Sequence, residues 1–336
     1  MKYFLLLLLP ILLFACNNGE KIPDVSNVKI DISTQRFDQY LFKLDSNNFK
    51  TGLQQVAQKF PAFTSNFLYT ILGADPKWSE DSTAAYAKQF VSSYSNVFDS
   101  SETLFNDFTA YEKEIRKGLQ FVKYYFPNYK LPHNIITYIG PLDGYGDILS
   151  DDGLIIGLQL HLGKDFSLYK TELVQQTYPD YISRRFEPNY IAVNSLKNIA
   201  LDLFPEKLEE KSLVQQMVEK GKRLYLLSKF LPQEKEYKLI GYTAVQLKDC
   251  YEHEKNIWDL FVQNNLLQTT DDNIIKNYIG ESPKTQELGD ASPGNIASFV
   301  GWQIVKKYMQ KNEGLSLQKL MATDADVIFQ EAKYKP

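Results

Sequence analysis

The chain has 336 residues, of which 44% are hydrophobic, and a formal net charge of −4 at pH 7. It is long and apolar enough to build one large domain or two small ones. The weakly acidic balance, with no long basic block, argues against nucleic acid as a partner. Two cysteines in all leave no disulfide framework if one of them is modified.

The N-terminus has the layout of an exported protein. Lys2 gives a short positive region, and an unbroken apolar run follows from Tyr3 to Phe14. This pattern is typical of a secretory signal. The run is too short for a membrane-spanning helix, which needs about 20 apolar residues. Ala15 is small enough for a cleavage site, and Cys16 follows it.

The sequence from Leu13 to Cys16, LFAC, resembles the bacterial lipobox. In proteins with this motif the cysteine thiol is diacylated, the signal is cut before the cysteine, and the new amine is acylated. The resemblance implies that residues 1–15 are a lipoprotein signal peptide, cut between Ala15 and Cys16. It also implies that Cys16 is the lipidation site, carrying palmitate or a similar chain. An ordinary signal followed by an incidental cysteine is the alternative.

The next segments predict a tether and then helices. Residues 16–34 are polar and weakly patterned, so we expect a linker leading into a strand or extended segment, VKIDI. Residues 35–130 have helical periodicity, with apolar residues at three- and four-residue spacing. The longest pattern, FNDFTAYEKEIRKGLQFVKYYFP, ends at Pro127, because proline disfavours a helical conformation in the residue before it.

A change of composition then predicts a small sheet. We expect two strands, at about Asn134–Ile139 and Leu154–Leu162, joined by a connection rich in glycine and aspartate. The second strand is apolar on both faces for much of its length, which indicates a central position.

Helical patterns return in the remainder of the chain. One of them ends at Pro232, and Ser292-Pro293 has the composition of an N-cap for the last long helix. The predicted fold class is α+β, predominantly helical with a small β-sheet. We expect a single globular domain over residues 35–336, with a helical part, 35–130, and a sheet-containing part, 131–336.

Few residues have the spacing of a catalytic or metal site. A zinc peptidase motif needs two histidines four residues apart on one helix face. His133, His161 and His253 all lack that partner, and His253-Glu254 has only the first half of the motif. We expect His253 to be an exposed helical residue. The chain also lacks a G-x-S-x-G nucleophile motif and a phosphate-binding glycine loop. The sequence therefore predicts no catalytic, metal or cofactor-binding residues and no small-molecule cofactor.

Three other features have both a functional and a structural interpretation. Four aspartates, Asp143, Asp147, Asp151 and Asp152, crowd the connection between the strands, but ordinary turns explain them better than calcium does. Cys250 lies in a helical pattern, and we expect its thiol to be buried and inert. The short basic stretch Lys220–Arg223 is better explained as a solvated helix face than as a contact with anionic lipid.

The chain as a whole resembles a known family. The lipobox cysteine, YIGPLDGYGDILSDDGLIIGLQLHLG, YPDYISRRFEPNYI, GKRLYLLSKFLP and GNIASFVGWQIVKKYM are similar to the GldB family, gliding-motility lipoproteins of the Bacteroidota. The resemblance implies a role in movement over surfaces, beside other gliding proteins and the type IX secretion machinery. The family carries no established catalytic residues that could be transferred.

A second resemblance, to predicted zincin-like peptidases, bears on mechanism. In those proteins the helix after the sheet carries H-E-x-x-H, and the next helix supplies an acidic ligand. The corresponding stretch here reads NSLKN, from Asn194 to Asn198, and Glu219 is the acid near the second position. Asparagines in place of both histidines would leave no zinc site and no general base. The resemblance implies a peptidase-like scaffold that has lost its chemistry and now works by binding.

These observations leave two main functions. The first is a non-enzymatic lipoprotein of the gliding machinery, facing the periplasm from a lipid anchor in the cell membrane or outer membrane and binding other machine components. The second is an envelope hydrolase acting on peptide or peptidoglycan. A cleft that gathers two or more carboxylates, or His161 with an acid, would favour it. The missing motifs favour the first. A ligand carrier, a third possibility, would require a large apolar cavity.

Overall fold

The computed structural model describes residues 22–336, which form a mostly helical α+β fold, 59% helical, with a small sheet. The fold class predicted from the sequence is confirmed. The predicted signal peptide, its cleavage site after Ala15 and the lipidation site Cys16 lie outside the described residues. From residue 22 onward, no helix has both the length and the apolar character needed to cross a bilayer.

The sheet has four strands: β1 (Ser33–Arg36), β2 (Asn134–Tyr138), β3 (Ile148–Ser150) and β4 (Gly153–Gly157). Their order is β1-β2-β4-β3. The first three in that order run parallel, and β3 pairs with β4 in an antiparallel hairpin. The apolar strand β4 therefore lies inside the sheet, as its composition predicts.

The sheet contributes to two hydrophobic cores, because successive residues of a strand point to opposite faces. Ile136 of β2 and Ile155 of β4 pack into the smaller core. Ile135 and Ile156, their chain neighbours, pack into the larger one. The two strands need apolar residues on both faces for this reason.

Helices from the N-terminal half cover the smaller core. They are α1 (Phe37–Phe42), α2 (Phe49–Lys59), α3 (Pro61–Asn66) and α4 (Glu80–Ser93). The ring of Phe37 makes edge-to-face contacts with Phe60, Phe63 and Phe67, at centroid distances of 5.4, 4.8 and 5.0 Å. Such pairs contribute about 0.5–1.5 kcal/mol each beyond the burial of their area.

The other helices of the described chain belong to the larger core. They are α5 (Ser95–Phe105), α6 (Thr109–Tyr125), α7 (Glu172–Thr177), α8 (Asp180–Ser183), α9 (Ile191–Leu203), α10 (Leu213–Phe230), α11 (Glu236–Ile240), α12 (Ala244–Glu252), α13 (Glu254–Gln263), α14 (Asp272–Ile275), α15 (Ile296–Lys311), α16 (Leu317–Ala322) and α17 (Ala325–Ala332). Helix α15 is buried on every side over its first ten residues.

Helices α10 and α15 approach each other so closely that their contact requires glycine. A Cβ atom on Gly301 would lie 1.7 Å from the carbonyl oxygen of Met217, and one on Gly221 would lie 2.2 Å from the carbonyl oxygen of Gly301. Neither distance is compatible with non-bonded atoms. The two glycines therefore set the spacing of the two helices.

Three predictions about the sheet differ from the structure. The first strand begins at Ser33, directly after the predicted VKIDI segment. The second predicted strand ends at Gly157, because Leu158–Leu160 form a turn of 3₁₀ helix. Strand β3 lies inside the connection that the sequence predicts to be a loop, and its three residues are too few to give a periodic signal.

Helix boundaries were predicted better at C-termini than at N-termini. Helices α6 and α10 end two residues before Pro127 and Pro232, as predicted. The predicted start at Ser292-Pro293 is wrong, since α15 begins at Ile296. Its N-cap is Asn295, which has a left-handed backbone (φ 56°) and accepts a hydrogen bond from the Ser298 hydroxyl (2.6 Å).

The last part of the predicted tether contacts the domain. Val25 and Ile32 are buried, and Arg116 of α6 donates hydrogen bonds to the carbonyl oxygens of Ile30 (2.5 Å) and Ile32 (2.6 Å). A free tether would therefore end before Val25. The other predicted boundaries, residues 16–34 for the tether and 35–336 for one domain, stay predictions.

Candidate functional site

A buried polar cluster lies where the β3–β4 hairpin meets α9. Asp147 directly precedes β3, and His161 follows the 3₁₀ turn after β4. Because β3 and β4 are antiparallel neighbours, the start of one and the end of the other lie at the same end of the hairpin. Asn194 and Asn198 are one turn apart on α9, so they share the helix face that meets this end.

The carboxylate of Asp147 is the centre of the cluster. His161 Nε2 lies 2.9 Å from its Oδ2 and 3.1 Å from its Oδ1. The side-chain amide of Asn194 donates to Oδ2 (2.8 Å), and the backbone N–H of Gly157 donates to Oδ1 (3.1 Å). Asn198 donates to the backbone carbonyl of Asp147 (3.0 Å). Hairpin and helix are thus joined through one acidic residue.

The hydrogen-bond partners of His161 favour its charged form. Nδ1 lies 3.1 Å from the carbonyl oxygen of Glu187, which can only accept, so Nδ1 carries a proton. Nε2 faces the carboxylate of Asp147. Burial alone lowers the pKa of His161, but the charge of Asp147 and the hydrogen bonds to both ring nitrogens raise it above its ordinary value of 6.5. The contacts therefore favour a protonated imidazole ring beside Asp147.

This pair is closed to solvent. The side chains of His161 and Asp147 are only 1% and 3% exposed. Both oxygens of the carboxylate and both nitrogens of the ring already have partners within the fold. A general base must reach the proton that it removes from substrate, and neither group can do so in this arrangement. The geometry supports a structural ion pair that holds the hairpin against α9.

The two asparagines lie on one helix face, as the resemblance to zincin-like peptidases implies, but Glu219 does not join them. Its carboxylate binds Lys222 (3.0 Å), Lys211 (3.1 Å) and Arg223 (3.3 Å). Residues 22–336 contain no group of three or more His, Cys, Asp or Glu side chains that could hold a metal ion. The positions that would carry peptidase ligands therefore hold amides engaged with Asp147.

Other residues singled out in the sequence lie apart from the cluster. His133 and His253 are exposed, and His253 occupies the break between α12 and α13. Cys250 is buried, as predicted, and burial raises the pKa of its thiol to about 12, which disfavours the reactive thiolate. Of the four aspartates considered for calcium, Asp147 is occupied by the ion pair just described.

The prediction of a solvated face for residues 220–223 is wrong. The Lys222 side chain is only 3% exposed. Its ammonium group donates to the carbonyl oxygens of Met321 (3.2 Å) and Thr323 (3.0 Å), at the C-terminal end of α16. Carbonyl groups at a helix end lack partners within the helix, and a cation there satisfies them and complements the helix dipole.

The pairing of His161 with Asp147 was missed from the sequence, although both residues had been noted separately. The available signal was a histidine inside the strongly apolar predicted strand Leu154–Leu162, where an isolated charge would be costly. That position predicts a buried partner for His161 without saying which acid supplies it.

Comparison with known families shows to which family the chain belongs. The family described as gliding motility protein GldB matches residues 18–336, nearly the whole chain. The chain belongs to the GldB family. This membership links the protein to gliding motility, and the GldB family is a motility component rather than a known enzyme family. Neither the curated proteins nor the solved structures gave a significant match.

Proposed function

We propose that this protein is a lipid-anchored component of the gliding machinery that acts by binding other proteins rather than by catalysis. The observation that carries the non-enzymatic part is the closed cluster at Asp147. Its histidine is buried in an ion pair. The amides of Asn194 and Asn198, at the positions that the resemblance to zincin-like peptidases assigns to metal ligands, are engaged with Asp147. Membership of the GldB family supports the motility role.

The proposed anchor is Cys16, exposed as the new N-terminus after cleavage behind Ala15. The family match begins at residue 18, just after this cysteine, which suits a family whose shared region follows an anchor. Each buried methylene contributes about 0.8 kcal/mol to membrane binding, and stable anchoring takes two lipid signals. A cysteine with three acyl chains would anchor the domain stably to the bilayer. We place the domain on the periplasmic side.

The proposed partners are the membrane, through the anchor, and other proteins of the gliding apparatus. Photo-crosslinking from the surface of the domain in living cells, followed by identification of captured proteins, tests this directly. Capture of known gliding components is expected. Capture of none of them from any surface position would contradict the binding role.

Replacing the anchor cysteine tests the attachment. Cys16→Ser should abolish incorporation of labelled palmitate and release the protein from the membrane fraction. Cys250→Ala is the matched control, because it removes the other cysteine of the chain and should leave labelling unchanged. Labelling that persists in Cys16→Ser would contradict the lipoprotein proposal.

Metal analysis of the purified protein tests the non-enzymatic role. Zinc is expected well below one ion per chain, because the available side chains around Asp147 are amides and one histidine that is already paired. One zinc ion per chain, together with hydrolysis of peptide or peptidoglycan fragments, would instead support an envelope hydrolase.

A further inference from the structure

A crevice of about 230 Å³ lies beside α9, α10, α11 and the start of α15. It contains none of the residues of the Asp147 cluster. Much of its wall is aliphatic: Ala200, Leu201, Leu224, Leu227, Leu239 and Ile240.

The carboxylates at this crevice are already neutralised. Both oxygens of Glu206 lie 2.8 Å from the ammonium group of Lys220. Glu281 accepts from the guanidinium group of Arg185 at 2.9 Å. Neither acid is therefore free to balance another cation at the crevice.

Two basic side chains at the crevice have N–H groups without a hydrogen-bond acceptor in the described part of the chain. Lys197 makes no hydrogen bond or ion pair with any residue from 22 to 336. Lys197 is exposed at the crevice, so a ligand can reach its side chain. The Nε–H group of Arg223 has no acceptor within hydrogen-bond distance in the same range, and an oxygen of Glu206 is 3.8 Å from it.

We propose that this crevice binds a small ligand with a single carboxylate on an apolar body, and that the ammonium group of Lys197 is its counter-ion. The leucine-rich wall would cover the apolar body. One unpaired lysine matches a monoanion, whereas a phosphate dianion would need more donors than the crevice offers. The carboxylate can come from a free fatty acid or from the C-terminus of a peptide ending in an apolar residue. The proposal does not rest on the tether or on the motility role.

The test measures binding to the full chain reconstituted in lipid nanodiscs, with empty nanodiscs as the correction for partitioning. Hexanoate represents the fatty acid, N-acetyl-leucine represents the peptide terminus, and the uncharged amide of each serves as the probe without charge. Saturation-transfer NMR reports binding. At least one acid should bind, and the stronger of the two identifies the source.

Lys197→Met keeps most of the aliphatic stem and removes the charge, so it should weaken binding of the acid at least about tenfold, as expected for the loss of a charge-assisted contact. Lys88→Met, at an exposed lysine of α4, is the matched control and should leave binding unchanged. Leu201→Asn should weaken binding of the acid and of its amide equally, because it replaces part of the apolar wall.

Three results would overturn the proposal. They are the failure of both acids to bind, equal binding of acid and amide, and an acid affinity in Lys197→Met equal to that of the native chain. Unfolding curves of each variant, compared with the native curve, show whether a loss of binding reflects a loss of folding.

Discussion

Replacing Asp147 with asparagine should reverse the way in which stability depends on pH near neutrality. In the native protein the pKa of His161 is raised above 6.5 by the carboxylate of Asp147, against the effect of burial. A histidine pKa that is raised on folding adds stability that is complete below the unfolded value of about 6.5 and is lost as the pH rises through the folded value. The native domain should therefore lose part of its stability on the alkaline side.

In Asp147→Asn the side chain keeps its size but has no charge. Its oxygen can still accept from Asn194, and its NH2 group can donate to Nε2 of His161 once the ring is neutral, with the remaining proton on Nδ1 facing the carbonyl oxygen of Glu187. That NH2 group then takes the place of Oδ1, so the backbone N–H of Gly157 loses its acceptor. The buried ring is then most stable without charge. Its folded-state pKa falls below the unfolded value, so this variant should lose stability as the pH falls through about 6.5.

The size of the effect follows from the burial of the pair, whose side chains are 1% and 3% exposed. Removal of one member of a buried ion pair costs about 3–5 kcal/mol. The amide keeps the hydrogen bonds to Asn194 and His161 but loses the one from the Gly157 N–H, and the ring can neutralise. We therefore expect about 3–4 kcal/mol near pH 6, with a smaller loss at higher pH. Each unit by which the folded-state pKa changes corresponds to about 1.4 kcal/mol.

Urea unfolding followed by tryptophan fluorescence, from about pH 5.5 to about pH 8.5, measures the free energy of unfolding across this range. NMR titration of the His161 ring gives the folded-state pKa in both proteins. Asp165→Asn is the control, because Asp165 is 84% exposed and pairs with Lys164 at the surface, where solvent screens the pair and it contributes little to stability. The reasoning is refuted if Asp147→Asn has the same pH slope as the native protein.

Two further predictions concern contacts that helix α10 makes with α15 and α16, and the same unfolding experiment measures them. Gly301→Ala should cost about 3 kcal/mol, because its methyl group would overlap the carbonyl oxygen of Met217; Gly314→Ala, where the positive φ is the only obstacle, should cost about 1 kcal/mol. Lys222→Met should cost about 2 kcal/mol, because two buried carbonyl groups lose their donor. Lys220→Met, in a partly exposed pair, should cost less than about 1 kcal/mol.

Similar costs for the two glycine variants would contradict the role assigned to the close contact between α10 and α15. Unfolding free energies that do not differ between the two lysine variants would show that the buried ammonium group contributes no more than a surface charge.

The sequence predicted the features that depend on composition over several residues. Strand β4 was predicted to be central because it is apolar on both faces, and it contributes to both cores. The ends of α6 and α10 were predicted because Pro127 and Pro232 act locally. These signals require no knowledge of which parts of the chain meet.

Features that depend on tertiary contacts were not predicted. Lys222 was expected at a solvated face, yet it lies under the end of α16, which is about 100 residues further along the chain. The start of α15 was placed three residues early, because Asn295 forms a left-handed cap that a Ser-Pro pattern does not indicate. Pairing of His161 with Asp147 depends on the β3–β4 hairpin, and β3 itself was not predicted.

The central claim is that this member of the GldB family supports gliding without chemistry at its buried acid. The most direct test is the gliding speed of cells whose only copy carries Asp147→Asn, grown near pH 7.5 and compared with Asp165→Asn cells holding equal protein in the envelope. The account predicts equal speeds, because the substitution removes the acid but keeps the fold at this pH. Loss of gliding at an equal level of folded protein would contradict it.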